Sequence, residues 1–429
     1  MELLERQNAD LQQQIRALRE ELEAARRSAV EPSTSAVRFE ALQEQVQIQA
    51  DRIAEQDQIK AQGTHRAPLR LTGMVLFNAF VNSRNGGQMF DYTPAAVRVA
   101  DKRRSGATLA QSVFGLEFQA PEAVLGGRVK GSFLLDLSAA DGTGTPTSTQ
   151  VRLRTATVEA QWKSRSIMVG QEKPIFSPRE PNSLARLTQS PLVAAGNLWL
   201  WRPQARFEQR IKLGPAQDLR AQIGISQTRE DLGVIPAQFM PTLENKRPAL
   251  EGNFRFTHHV DDFRRIEFAT GFHRSTTHVA GISIPSSVLS LDWFWNPVRK
   301  IEFTGTAFTG KNLAKFGGLD SIPPYVISTP RTGQNQATPI GGRGGWAQLT
   351  WLATSRLSFN LFSGQHHADH RELLASTIRH KNVVYGANFF YRLAPNVITG
   401  IEASQARSWY VNGQRALNNH YDLYVAYLF

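Results

Sequence analysis

Cysteine is absent from all 429 residues. That excludes a disulfide framework and any thiolate-held metal, and it suits an oxidising periplasm or outer membrane. No stretch approaches the ~20 consecutive apolar residues of a membrane helix, so a helical membrane protein is excluded as well. A transmembrane barrel is not, because its strands need only ~9–11 residues and alternate rather than run. A charged–apolar–small secretory signal is also missing, since Met1 is followed at once by a polar helical pattern. Export then requires a start further upstream or a signal already removed. Catalytic motifs are scarce. There is no GxSxG, and Gly142-Thr143-Gly144-Thr145 lacks the Lys-Ser/Thr of a phosphate loop, so it reads as a turn. His366-His367-Ala368-Asp369-His370 holds enough ligands for a metal, but no helix gathers them on one face, and it reads as a solvated connection. The expectation is a protein with no enzyme activity, metal or cofactor.

What is present is basic and unevenly so. The net charge is +12. Residues 1–62 carry 8 Lys+Arg against 12 Asp+Glu, net −4, which leaves 41 against 25, net +16, in the remainder. A basic excess often marks a nucleic-acid binder. Here the arginines are interspersed through alternating segments rather than packed into a run, so no nucleic-acid partner is expected.

Residues 1–60 read as a coiled-coil oligomerisation stalk. In residues 1–28 the a positions are Asn8, Ile15 and Leu22, and the d positions are Leu4, Leu11, Leu18 and Ala25. A buried Asn8 would cost stability but set the register. The stretch 31–35, EPSTS, breaks the helix, and a second, glutamine-rich heptad run follows through Phe39, Leu42, Val46, Gln49, Ile53 and Gln56. Residues 61–68 form a linker.

At Arg70 the hydrophobic period changes from helical to two. Over 70–82, Leu71, Val75, Phe77, Ala79 and Val81 share one face. Over 107–120 the pattern puts Thr108, Ala110, Phe114, Leu116 and Phe118 outward. In the next segment Val129, Phe133, Leu135 and Leu137 oppose Arg128, Lys130, Ser132 and Asp136. A face of Arg, Lys, Ser and Asp that keeps recurring fits a water-filled lumen better than a soluble core. The segment 150–162 has no settled phase, because Val151 and Leu153 sit opposite Ala156, Val158, Ala160 and Trp162. Counted along 69–429, the pattern predicts about sixteen antiparallel strands, an all-β transmembrane barrel. The connections are expected to alternate between tight turns and long loops at 83–106, 138–149, 172–201, 228–247, 310–342 and 366–380. Trp293, Trp295, Trp351, Tyr385, Tyr391, Tyr421 and Tyr427 are candidates for interfacial belts. The alternative architecture is a soluble or surface-displayed β-rich binding protein on a coiled-coil stalk.

The chain closes on NNHYDLYVAYLF, with Tyr421, Leu423, Val425, Tyr427 and Phe429 on one parity. A last strand of this kind would seal the barrel seam against the first, and it resembles the terminal strand of bacterial outer-membrane barrels. With the leading heptads, the RLTGMVLFNAF strand and the LRTATVEAQW strand running into SIMVGQ, the layout resembles the DcaP-like porins, and more loosely the phosphate-selective porins. The resemblance implies a trimeric channel in the outer membrane of a two-membraned bacterium, with its coiled coil in the periplasm. It also implies passage of small anions such as dicarboxylates. By loop order, it implies that the third long connection, 172–201, folds into the lumen. Lys173, Arg179 and Arg186 would then set a basic constriction, since a cationic lining in a low-dielectric wall concentrates anions and rejects cations. Arg128, Lys130, Arg206, Arg210, Arg220 and Arg255 share the lumen parity. Glu117, Asp136, Glu208, Glu251 and Asp292 are the expected cross-strand partners for some of them.

Overall fold

Alternation with period two needs a sheet, and a sheet whose outer face is apolar needs either a covering layer or lipid. The computed structural model of the chain takes the second course. It describes residues 69–83, 103–120, 125–139, 149–185, 190–228, 248–279, 282–318, 325–328, 336–369 and 378–429. The expected coiled coil, the linker, Arg186 and the 142–145 turn lie outside the described residues.

β1 (Leu69–Asn82) is followed by β2 (Arg104–Thr108) and β3 (Val113–Gln119), then β4 (Arg128–Ala139), β5 (Thr149–Gln161), β6 (Arg165–Glu172), β7 (Arg202–Lys212) and β8 (Gln217–Gln227). The second half supplies β9 (Pro248–His259), β10 (Arg265–Val279), β11 (Ile282–Val298) and β12 (Ile301–Lys311). A small hairpin, β13 (Tyr325–Ser328) and β14 (Gln336–Pro339), interrupts the order. β15 (Gly341–Leu352), β16 (Leu357–Ala368), β17 (Arg379–Ala394), β18 (Val397–Tyr410) and β19 (Arg415–Leu428) complete the sheet. Each strand pairs antiparallel with the next, and β19 pairs with β1, so the sheet closes. β2 and β3 both pair with β1 and are two halves of one strand, so the wall counts sixteen.

The faces divide as the alternation predicts. Along β19, Tyr421, Leu423, Val425 and Tyr427 are exposed on the outside, while His420, Asp422, Tyr424 and Ala426 are almost completely buried within. Leu361, Ile401, Phe254 and Leu291 on other strands are exposed in the same way. Trp295, Trp351, Tyr385, Tyr391, Tyr421 and Tyr427 are all exposed, and Trp293 is half-buried. An aqueous solvent would leave this apolar wall uncompensated. A bilayer core matches it, and closure satisfies every ladder hydrogen bond where lipid offers none.

Three local departures have physical causes. In β5, Thr155 pairs with Leu134 and Leu153 with Leu135, which leaves Arg154 bulged out of the ladder. One extra residue reverses the parity, so Val151, Leu153 and Val158 all point outward, and the mixed phase of this segment is resolved. Between β2 and β3, Gln111 takes φ 69° and donates its backbone N–H to Leu137 O at 2.6 Å. This break reverses the phase again. Thr108 and Ala110 are therefore buried inside rather than outward, while Leu109 is exposed. The expected alternation of connection lengths fails twice at the long-loop end, because only two residues separate β10 from β11 and only four, 411–414, separate β18 from β19. β10 and β11 run 15 and 17 residues and pair as far as Val279↔Ile282, so the ladder continues where the apolar signal fades.

The seam is built around Gly73. Its N–H donates to Phe429 O at 2.9 Å, and Phe429 N–H donates to Gly73 O at 3.1 Å. Val75, Phe77, Ala79 and Val81 face Tyr427, Val425, Leu423 and Tyr421 in register. A Cβ on Gly73 would lie 2.4 Å from the Phe429 ring and 2.6 Å from Val113 O. Gly73→Val is therefore expected to destabilise the barrel by about 1–3 kcal/mol, the usual range for overpacking. Urea unfolding in detergent reads this as a lowered midpoint, and an unchanged midpoint would contradict the tight seam.

Candidate functional site

Residues 173–201 carry Pro174, Pro178, Pro181 and Pro191, which cannot sustain a strand ladder. The segment runs irregularly, so its polar backbone groups need side-chain partners. The inner wall provides them. Glu251 on β9 accepts from Ile175 N–H at 3.0 Å, and Ser290 on β11 donates to Phe176 O at 2.5 Å. Gln348 on β15 accepts from Asn182 N–H at 2.8 Å, and Asn388 on β17 donates to Asn182 O at 3.1 Å. Ser183 donates to Glu402 on β18 at 2.6 Å, and Asn78 on β1 donates to Leu184 O at 2.8 Å. The third long connection thus lies inside the barrel against β9–β11, β15, β17, β18 and β1.

A second inward segment holds it there. The connection after β12 turns through the 3-10 turn Leu313–Phe316. Phe316 O accepts from Trp199 N–H at 3.1 Å, and Lys315 O accepts from the Arg202 guanidinium at 2.5 Å. Phe176, Leu198, Val288, Phe308, Leu313 and Phe316 form one buried cluster. The pattern reading missed this segment. Its signal was there: apolar Leu313 and Phe316 stand three residues apart in a long connection.

Among the described residues, six of the nine expected cations meet a carboxylate, and four of the six share theirs. Arg179 reaches Asp292 at 2.6 Å and Glu267 at 2.5 Å, and Arg255 reaches the same two at 3.0 and 3.1 Å. Arg265 also pairs with Glu267 at 2.5 Å. Glu208 takes Arg210 at 2.7 Å and Arg220 at 4.0 Å. Asp136 takes Arg152 at 2.8 Å and Arg154 at 3.5 Å. Among the described residues, seven guanidinium groups are thus held by these four carboxylates. Lys130 pairs with Glu159 at 3.2 Å and Lys173 with Glu180 at 3.0 Å. Arg206 lies on the same inner face, with Glu208, Glu172 and Glu159 as its electrostatic neighbours. Arg128 is exposed at the short-turn end of β4, away from the rest.

Register places Arg210 opposite Arg220 and Arg220 opposite Arg255, so three cations stand in one row across β7, β8 and β9. Like charges directly opposite each other repel, and the shared carboxylates offset only part of that. Among the expected partners, Asp136, Glu208 and Asp292 hold arginines, whereas Glu251 accepts from His273 at 2.8 Å instead. Glu267 was missed, although it shares β10 parity with Ala269, Gly271 and His273, a face with no large apolar side chain. Trp201 was missed too. The guanidinium groups of Arg152 and Arg154 lie 5.1 and 4.9 Å from its ring centre, close enough for cation–π attraction.

The histidine run is not a solvated connection. His366 and His367 belong to β16 and point to opposite faces, with His366 buried against Phe308 and His367 outside. His370 lies outside the described residues. Among the described residues no three His, Cys, Asp or Glu side chains converge as a metal site. Glu251, His273 and Ser275 do form a hydrogen-bonded chain at 2.8 and 2.9 Å. It is packed between Phe176 and Phe316, with Lys315 donating to Ser275 at 3.2 Å, and it anchors both inward segments to the wall.

Comparison with solved structures gives the same wall. The outer membrane channel DcaP of Acinetobacter baumannii superposes with a TM-score of 0.67 at 17% identity, over 86% of this chain and 99% of that one. An anion-selective porin from Comamonas acidovorans gives 0.53 at 12% identity, over 85% of this chain and all of that one. OmpF of Salmonella typhi, in complex with daunomycin, gives 0.50 at 12% identity, over 84% and 97%. No protein-family model and no curated protein sequence matches the chain. At these identities the likeness establishes the fold, that of an outer-membrane porin barrel.

Asp292 joins the inward loop, through Arg179, to the wall arginine Arg255. Asp292→Asn would leave two guanidinium groups short of a buried anion, and losing one partner of a buried ion pair costs about 3–5 kcal/mol. The expected result is a lower denaturation midpoint in detergent. A midpoint like that of the unsubstituted protein would remove Asp292 from this role.

Proposed function

We propose that the chain is a passive diffusion channel of the outer membrane of a two-membraned bacterium, admitting small hydrophilic solutes and favouring anions. The observation that carries the reading is the Arg210–Arg220–Arg255 row on the inner wall, with seven guanidinium groups sharing four carboxylates nearby. A surplus of fixed cations in a water-filled, low-dielectric tube raises the local anion concentration. Guanidinium groups also offer a planar fork to carboxylate or phosphate, so small dicarboxylates are the solute class the lining fits best. Lys173 and Arg179 complete the constriction from the loop side. The similarity in fold to DcaP and to an anion-selective porin supports the reading. The N-terminal heptads hold three copies together in the periplasm. The exposed apolar wall speaks against a soluble stalked binder.

Planar-bilayer recording on the purified protein tests the proposal. A salt gradient should give a reversal potential on the anion side, and a competing dicarboxylate should reduce chloride current. Arg220→Glu should lower the anion-to-cation permeability ratio by a factor on the order of two to five, because it replaces one fixed charge of a close cluster by its opposite. Absence of conductance would refute the channel. Cation preference in the unsubstituted protein, or no change on substitution, would refute the role of the arginine row.

A further inference from the structure

The outer wall carries a polar row for which the channel has no use. On the lipid-facing parity, Thr309, Arg343, His367, Lys381 and Trp409 stand in direct register across β12, β15, β16, β17 and β18. Arg343 and Lys381 therefore flank His367 on neighbouring strands, two cations in one row whose repulsion a bridging anion would relieve. Arg343 and Lys381 have no ion-pair partner among the described residues. The Lys381 ammonium sits 4.9 Å from the Trp409 ring centre.

One step towards the short-turn end, the same parity continues through Leu291, Ala307, Gly345 and Gln365. Ala307 and Gly345 project almost nothing, and Gly345 has no room to do so, since a Cβ there would lie 2.3 Å from Thr306 O. The result is a groove of about 620 Å³ on the outside of the barrel. Leu289, Leu291 and Ala307 line its apolar side, and the cations Arg343 and Lys381, with His367 between them, line its rim.

The height of the rim agrees with a membrane surface. Along β15, Arg343 precedes the exposed Trp351 by eight residues. At about 3.3 Å per residue and a strand tilt of about 40°, that is about 20 Å of height, and the reach of the long Arg343 side chain towards water supplies the rest of an apolar band about 25 Å tall. The rim thus lies at the headgroup level of the leaflet on the loop side, and the groove below it lies among acyl chains.

We propose that this groove binds one phosphorylated lipid of that leaflet. Its phosphate bridges Arg343 and Lys381, and an acyl chain covers Leu291 and Ala307. Charge complementarity selects the occupant, because a basic pocket at headgroup depth with an apolar floor fits an anionic amphiphile. The inference rests on the barrel lying in a membrane, but not on what its lumen passes.

Native mass spectrometry of the full chain in detergent, with lipid A as the added probe and inorganic phosphate as competitor, provides the test. One lipid A per chain should be retained. R343Q/K381Q should bind it at least roughly tenfold more weakly, having lost both charge-assisted contacts, with gel mobility and conductance unchanged. A307W, which fills the groove and keeps both cations, should weaken binding as well. Excess phosphate should not displace the lipid. No retention by the unsubstituted protein, equal retention by the variants, or displacement by free phosphate would overturn the proposal. So would a loss of oligomer in R343Q/K381Q, since a second copy of the chain would then be the occupant. A protein that binds lipid A but conducts nothing would leave this site standing and remove the channel.

Discussion

Inside a hydrocarbon layer, a backbone amide or carbonyl without a partner costs several kcal/mol, and no water is at hand to supply one. That single penalty explains the sheet. An open edge would expose a full row of unpaired groups, so the sixteenth strand has to meet the first. The junction is tight enough that Gly73 has no side chain and the Phe429 ring occupies the space one would need. Closure then leaves just two faces, one for lipid and one for the lumen, and the period-two pattern sorts every side chain between them.

Burial imposes a similar demand where the inward loop packs on the wall. A proline-broken loop cannot pair with itself, so the wall's inward amides, hydroxyls and carboxylates serve as its partners, from Asn78 round to Glu402. Four carboxylates are committed to arginines, and two of those, Glu267 and Asp292, clamp loop and wall together. Among the described residues, the acids that hold the scaffold are outnumbered by the guanidinium groups they hold, so the cations of the lining have a structural role of their own.

Much of this was legible in the sequence. The outward sets of the first and last strands, the sixteen-strand count and the inward third loop agree with the alternation, the spacing of turns and the layout. The failures have separate causes. A bulge at Arg154 and a break at Gln111 each insert one residue, and a period-two reading has no means of choosing between a bulge and a weak strand. β10 and β11 continue past the membrane, where Ser, Thr and His replace apolar residues and the signal ends before the hydrogen bonds do. Which carboxylate each arginine takes depends on which strands sit next to each other and on where an irregular loop comes to rest. Glu267 and the Leu313–Phe316 turn were for that reason beyond reach of periodicity, and so was the inward burial of His366.

The absence of native cysteine allows the central claim to be tested one position at a time. Single cysteines at positions 421 to 425 of the last strand would each carry a spin label in the reconstituted protein. Collision rates with oxygen, which concentrates in lipid, and with a polar nickel chelate, which does not, would then be compared along the strand. The account predicts oxygen access at 421, 423 and 425 with low chelate access, and the loss of that oxygen preference at 422 and 424. Equal chelate access at all five positions would mean that water, or another layer of protein, covers the wall assigned here to lipid.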